Sequence, residues 1–415
     1  MHPARPRHQA ITKQRGAALI VMLVIMVMGI AAALVNSLSA TALKTARQET
    51  TAAALAQAKE ALIGYAITYG DTHAGKAQGY LPCPDTVNDG SANANQSNAQ
   101  CAGANIPVAG RLPWRSLKLP PLRDGHGECL WYAVSGTFKA VAGGYMNDLM
   151  NWDATGQFTI QDANGTTLAG ATVHDRPVAI IFSAGTPLGA QSHPLGSVRE
   201  CSGDNSNSVT AYLEGDNAFL PPASPPESTI VLTMGSQSSA ANNDVMLWIT
   251  PGDIFEHIKK RSDFSNQISN LLDDSNFRLQ VELAHPETVA VSGMGTKGTG
   301  NINCGAITNT ANRAFCNNWK EMLLLTQLPT PSSITIANNG VPATIGPCAR
   351  VLIFGGQRTA AQVRLTGGDK SDPASYLEGA NLTAFATPTA TSGNFSGAST
   401  FDANSPSVDL LRCLP

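Results

Sequence analysis

Charge is what this 415-residue chain has least of: Asp, Glu, Lys and Arg make up 14% of it, and the net charge is −3. So few cations cannot form the basic stripe that grips a phosphate backbone, which argues against a nucleic-acid partner. Catalytic signatures are missing too. There is no G-x-S-x-G, no H-E-x-x-H and no P-loop, and the Ser, His and Asp residues are too dispersed to nominate a triad. Neither C-x-x-C nor a pair of histidines four apart occurs, which argues against a structural zinc site. The chain therefore reads as a non-enzyme with no cofactor. Glu214 and Glu378 stand in matching contexts and could serve as a carboxylate pair for glycoside chemistry. The simpler reading is that each satisfies backbone donors in a turn.

Two local absences carry more. Ala17 to Val35 holds no ionisable side chain, and the run approaches the ~20 residues that cross a bilayer as a helix. Before it stand Arg5, Arg7, Lys13 and Arg15, then Gly16. A secretory signal would have a shorter apolar core, with Ala40-Thr41-Ala42 as its cleavage site. A signal anchor fits the length and keeps the basic leader in the cytoplasm, but leaves Gly16 without a role. The second absence lies just downstream. Ser37 to Tyr69 has no proline and a single glycine, and is rich in Ala, Gln, Lys, Glu and Leu, which favour helix. Leu55, Ala58, Leu62, Tyr65 and Tyr69 fall three and four apart and share one face. Ala17 to Tyr69 is expected to form one rod on the order of 80 Å long, apolar first and amphipathic after.

A basic leader ending in Arg15-Gly16, then a helix of this two-part character, resembles the type IV pilin superfamily of pilins, minor pilins and type II secretion pseudopilins. Leu119 to Gly136 (LPPLRDGHGECLWYAVSG) is similar to the Asp-x-x-Gly-x-x-x-aromatic stretch that opens the sheet in many pilin-like heads. The resemblance covers roughly the first third of the chain. It implies that a prepilin peptidase cleaves after Gly16 and that Ala17 becomes the methylated N-terminus. It also implies a protein held in the bacterial inner membrane with its head in the periplasm, or displayed on the cell surface in a pilus. Its partners would be other pilins or pseudopilins, met through the N-terminal helix. The family usually has Glu at the fifth mature position and Phe at the first; here these are Val21 and Ala17. In the family that carboxylate neutralises a neighbour's terminal amine, so Val21 matches members such as the large K-type minor pseudopilin, placed at the filament tip. The implied role is a minor, tip-proximal subunit in assembly, adhesion or secretion. An anchored hydrolase or an adhesin unrelated to filaments is the alternative.

Eight cysteines, at 83, 101, 129, 201, 304, 316, 348 and 413, all follow the rod. On the exported side they read as disulfides, with Cys83–Cys101 and Cys304–Cys316 as the local pairs. Asp85, Asn88 and Asp89 beside Gly90 have the oxygen-rich look of a calcium loop, but the spacing departs from the standard one. Asn88 to Asn105 reads as a disulfide-tied loop.

The expected fold class is α+β: a long N-terminal helix with a transmembrane first half, then a β-rich pilin-like head of two subdomains with antiparallel sheet and disulfides. The boundaries are 1–16 for the leader, 17–70 for the helix, 71–227 for a first globular part and 228–415 for a second. Pro221 to Ser228 (PPASPPES) marks the last division. Pro177 to Ser183, Thr229 to Met234 and Val245 to Ile249 read as strands. Thr250 reads as the N-cap of a helix carrying Ile254, Phe255, Ile258, Ile268, Leu271 and Leu272, with Lys259, Lys260 and Arg261 on its solvated face. An internal echo completes the reading. Ala179 to Phe182 precedes Tyr212-Leu213-Glu214-Gly215-Asp216-Asn217, and Val351 to Phe354 precedes Tyr376-Leu377-Glu378-Gly379-Ala380-Asn381, as a duplicated strand and loop would.

Overall fold

Without proline to break it, the N-terminal sequence forms one helix, α1 (Arg15–Thr72), about 87 Å long at 1.5 Å per residue. The computed structural model describes residues 15–92, 101, 103, 105–140, 150–193, 201, 208–224, 226–237, 239–284, 303–338, 341–386 and 394–415. Thr41 to Thr50 are exposed on every side of α1. From Thr51 onward the stripe of Leu55, Ala58, Leu62, Ala66 and Tyr69 is buried, as its spacing predicts.

The expected transmembrane first half is corrected. Among the described residues no helix is long and apolar enough to cross a membrane. The part of α1 whose side chains are described throughout, Thr41–Thr72, lies downstream of the expected membrane run at Ala17 to Val35 and carries Lys44, Arg47, Glu49, Lys59, Glu60 and Asp71. Charges such as these cost about 2.5–3.5 kcal/mol each for Lys, Arg or Asp at the centre of a bilayer-spanning helix. The apolar stripe beside them is occupied by the head.

That head begins with β1 (Val108–Arg111), β2 (Trp131–Val134), β3 (Phe158–Gln161), β4 (Thr167–Ala169), β5 (Ala179–Ser183), β6 (Ile230–Thr233) and β7 (Val245–Ile249). One sheet has the order β1–β2–β5–β7 and is antiparallel throughout. Tyr132, Val134, Ala179, Ile181 and Ile249 share a core with α1. Their alternate neighbours Trp131, Ala133, Ile180, Phe182 and Met246 meet Phe158, Ile160 and Leu232 of a second sheet, β4–β3–β6. The layers are therefore helix, sheet, sheet. Because β5 is covered on both faces, it reads as a continuous apolar run rather than an alternation. Strands β6 and β7 follow Pro221 to Ser228 yet pair with β3 and β5, so chain from both sides of that stretch builds the same two sheets.

Beyond β7 come α2 (Pro251–Ile258), α3 (Phe264–Leu272), α4 (Ser275–Ala284) and α5 (Thr310–Trp319), then β8 (Leu323–Asn338) and β9 (Val341–Phe354). After α6 (Gly367–Ser371) and α7 (Gly379–Ala386), β10 (Ser396–Ala398) and β11 (Leu410–Leu414) complete the chain. Thr250 caps α2 as expected, its hydroxyl accepting from Asp253 N. The single helix expected through Leu272 is broken at residues 259–263, where Arg261 turns back to Asp71 and Asp263. β9 lies between β8 and β11, antiparallel to both, and β10 runs parallel to β8 and β11. β6 is likewise parallel to β3. The β4–β3–β6 sheet and the β8–β11 sheet are therefore mixed, whereas β1–β2–β5–β7 is antiparallel as expected. Trp152, Phe264, Phe315, Trp319 and Phe354 fill the space between these strands and helices; the Trp152 and Trp319 rings meet edge to face at 4.7 Å.

The two YLEG stretches adopt one geometry. Tyr212 and Tyr376 each end a 3-10 turn with nearly the same backbone angles, φ −127°, ψ −37° and φ −124°, ψ −32°. Gly215 and Gly379 both sit at φ +50°, a conformation costly for any residue with a Cβ. Asn217 Nδ2 donates to Thr233 O and Asp244 Oδ2, and Thr233 N donates back to Asn217 Oδ1. Asn381 makes the same three bonds with Ser396 and Asp409. Asp244 and Asp409 each immediately precede a strand, β7 or β11, that pairs antiparallel with β5 or β9. One strand–turn–strand unit is built twice.

Candidate assembly helix and its docking on the head

Docking of α1 begins at Thr51, which is buried and whose hydroxyl accepts from Gly125 N at 3.0 Å and from Gln237 Nε2 at 2.9 Å. Gly125 belongs to the Asp-x-x-Gly stretch, and a Cβ added there would lie 2.1 Å from Arg47 O, so only glycine lets the turn approach the helix backbone. The turn is built on Asp124, 3% exposed. Its Oδ1 accepts from His126 N and Glu128 N, both at 2.9 Å. Its Oδ2 accepts from Ser183 Oγ at 2.7 Å and Gly185 N at 3.2 Å. One carboxylate thus joins the 124–128 turn to the end of β5, and the turn in its place holds the helix.

Ion pairs secure the rest of the contact. Lys59 Nζ lies 3.4 Å from Asp253 Oδ2. Arg261 donates to both oxygens of Asp71, and to Ile67 O near the helix end. Tyr69 stacks on His73 with ring centroids 4.0 Å apart and tilts against Tyr80 at 5.6 Å. Burial pushes the Tyr69 phenol up to about 12, and desolvation with the nearby Tyr69 drives Tyr65 higher still, so both remain neutral.

At the other end of the same helix the apolar side chains of Met22, Leu23, Met26, Val27 and Met28 are 57–74% exposed, and Leu43 is 54% exposed. Side chains of this kind in adjacent helical turns form a surface that water disfavours by about 25 cal/mol for each Å² left uncovered.

Gly16, Ala17 and Val21 lie within α1, but their side chains fall outside the described residues, as does the leader through Gln14. The eight cysteines form four disulfides: Cys83–Cys101 and Cys304–Cys316, the two local pairs, and Cys129–Cys201 and Cys348–Cys413, which span 72 and 65 residues. Asp85 is a turn-builder. Its Oδ1 accepts from the amides of Val87, Asn88 and Asp89, and its Oδ2 from Gly90 N at 2.6 Å. Burial raises its carboxyl and those amides pull it partly back down. With its oxygens occupied by N–H donors, it has little left to offer a cation. Among the described residues no group of three or more His, Cys, Asp or Glu side chains could hold a metal ion.

Glu214 and Glu378 do not meet; each sits in its own copy of the repeated unit, beside Asp244 and Asp409 respectively. Those aspartates, together with Asp124 and the buried pair Arg364–Asp153 at 3.0 Å, escaped sequence reasoning. A lone Asp before a strand carries no local signal of burial. The only available pointer was the YLEG echo, which marks where an equivalent partner must lie. No protein-family model, curated protein sequence or solved structure matches this chain.

Proposed function

We propose that the chain is an exported, pilin-like structural subunit that joins a filament or pseudopilus by packing its N-terminal helix against those of other subunits. The observation that carries this reading is the uncovered apolar surface at Met22, Leu23, Met26, Val27 and Met28, on a helix whose far end is fastened to a globular head. Helices of the same kind would remove that surface from water, with methionines adapting to imperfect neighbours. The four disulfides favour an oxidising compartment, the periplasm or the cell surface. The Asp124 turn supports the same reading, since the stretch that resembles the pilin sheet-opening motif is the one that docks the helix. With Val21 in place of Glu and a large disulfide-bearing head, the subunit occupies the tip. Its processing partner is a peptidase that cuts after Gly16.

A photo-crosslinking residue placed at Met26 in the intact chain, in cells that produce it, tests the packing. The expected products are conjugates with other subunits bearing apolar N-terminal helices, and Leu23→Asp should abolish them. Capture of lipid or of nothing at Met26 overturns the reading. Mass spectrometry of the mature protein checks processing separately, the expected N-terminus being methylated Ala17.

A further inference from the structure

The repeated unit provides an internal control for one unusual pair of carboxyls. In the second copy Asp409 has donors on both oxygens, Gly356 N on Oδ1 at 3.3 Å and Asn381 Nδ2 on Oδ2 at 2.8 Å. In the first copy Asp244 Oδ2 accepts from Glu214 N and Asn217 Nδ2, both at 2.9 Å, but Asp244 Oδ1 and Glu214 Oε1 are buried without a donor. The strand pairings Ser183 with Val245 and Phe354 with Leu410 make Gly185 the counterpart of Gly356. Its amide is turned away to Asp124. What lies beside Asp244 instead is the Glu214 carboxyl, near enough to raise its proton affinity and with Oε1 likewise lacking a donor. Two carboxyls can be hydrogen-bonded only when a proton lies between them.

We propose that Glu214 and Asp244 share one proton as a clamp that holds the 212–217 turn against the start of β7 and opens when alkali removes that proton. On opening, the proton passes to hydroxide and leaves two repelling carboxylates in a site where Asp244 is 0% exposed. The surrounding groups do not compensate. The 3-10 turn presents neutral Asn217 and an exposed Asp216; β6 presents Thr233; the residues before β7 present Asn242 and Asn243. Beyond β5 stand Thr186 and the already saturated Asp124. Arg111 and His193 lie against the Tyr212 ring, and Glu128 pairs with His193. The clamp is linked to α1, because Gly235 N bonds Asp244 O and Gln237, two residues on, bonds Thr51.

Burial, with Glu214 adding to it, pushes the Asp244 carboxyl up to about 8. A folded value above the unfolded one means the stabilisation is complete below the ordinary carboxylate range and is lost as pH rises through about 8. Between the ordinary carboxylate range and about 8 closure weakens by up to tenfold per pH unit, and above that it levels off. The test is amide exchange and thermal melting of the full chain at pH 6 to 9, with Glu214→Gln and Asp244→Asn compared at each pH, since Lys139 and Asp409 titrate in the same range. Either variant supplies an amide donor where the proton sat. The expected result is that the melting temperature of the wild type falls relative to both variants between pH 6 and about 8 and then levels off, and that at pH 9 exchange at Glu214 N and Gly235 N is at least tenfold slower in the variants than in the wild type. Should one variant fail to fold, the other carries the comparison, and the infrared band of a protonated carboxyl, present at pH 7 and lost by pH 9, is read on the wild type alone. Wild type and variants with the same pH profile overturn the proposal. So does protection of the wild type at pH 9 by calcium or magnesium chloride that Glu214→Gln removes, which would assign the two oxygens to a cation.

Discussion

Single buried polar side chains decide how the parts of this molecule are joined. Asp124 serves four donors from two segments, so Asp124→Ala leaves all four without an acceptor, Ser183 Oγ and Gly185 N in a buried place and the His126 and Glu128 amides in a partly buried one. Unsatisfied buried donors cost about 1–3 kcal/mol each, and partial rehydration keeps the total to about 4 kcal/mol. Urea denaturation should register that loss, and proteolysis should show α1 released before the head unfolds. Arg364 is a comparable case. Only 1% exposed, it pairs with Asp153, donates to Ser375 O and Gly356 O, and lies 4.2 Å over the Tyr376 ring. Arg364→Met strands Asp153 as a buried carboxylate, at an expected cost of about 3–5 kcal/mol. Adding Asp153→Asn should recover part of it, read as a non-additive double-mutant cycle.

At the scale of elements, α1 has two halves with different mutational behaviour. Leu62 is wholly buried against the head, and Leu62→Ala should cost about 2–5 kcal/mol. Leu43, 54% exposed, should tolerate Ala within about 0.5 kcal/mol when stability of the isolated chain is measured. If Leu43 belongs to the assembly surface, the same change weakens association instead, and the contrast between the two measurements identifies the face. The long-range disulfides tie elements that lie far apart in the sequence. Cys348–Cys413 joins β9 to β11, and Cys129–Cys201 closes 72 residues. By loop entropy the latter constrains the unfolded chain by about 4 kcal/mol, against about 3 kcal/mol for the 12-residue Cys304–Cys316. Replacing Cys129 and Cys201 by alanine should therefore lower the melting temperature more than replacing Cys304 and Cys316.

For the whole molecule, what could be read from the chain alone was whatever depends on neighbours in sequence. The helical stripe from Leu55 to Tyr69, the buried strand at Ala179 to Ser183, the Thr250 cap and the two short disulfides all follow from periodicity, β-branching, capping chemistry or short spacing. The YLEG echo likewise announced a unit used twice. Three-dimensional packing decided the remainder, because it depends on which distant groups desolvate one another. It set β6 parallel to β3, broke the helix at residues 259–263 by drawing Arg261 to Asp71, and gave Asp124 its four donors. It also gave two copies of one motif different chemistry, since a single amide, Gly356 N, turns inward to Asp409 while its counterpart Gly185 N turns to Asp124. Local sequence records the propensity of a segment, whereas the proton affinity and partner of a buried group are properties of the space around it.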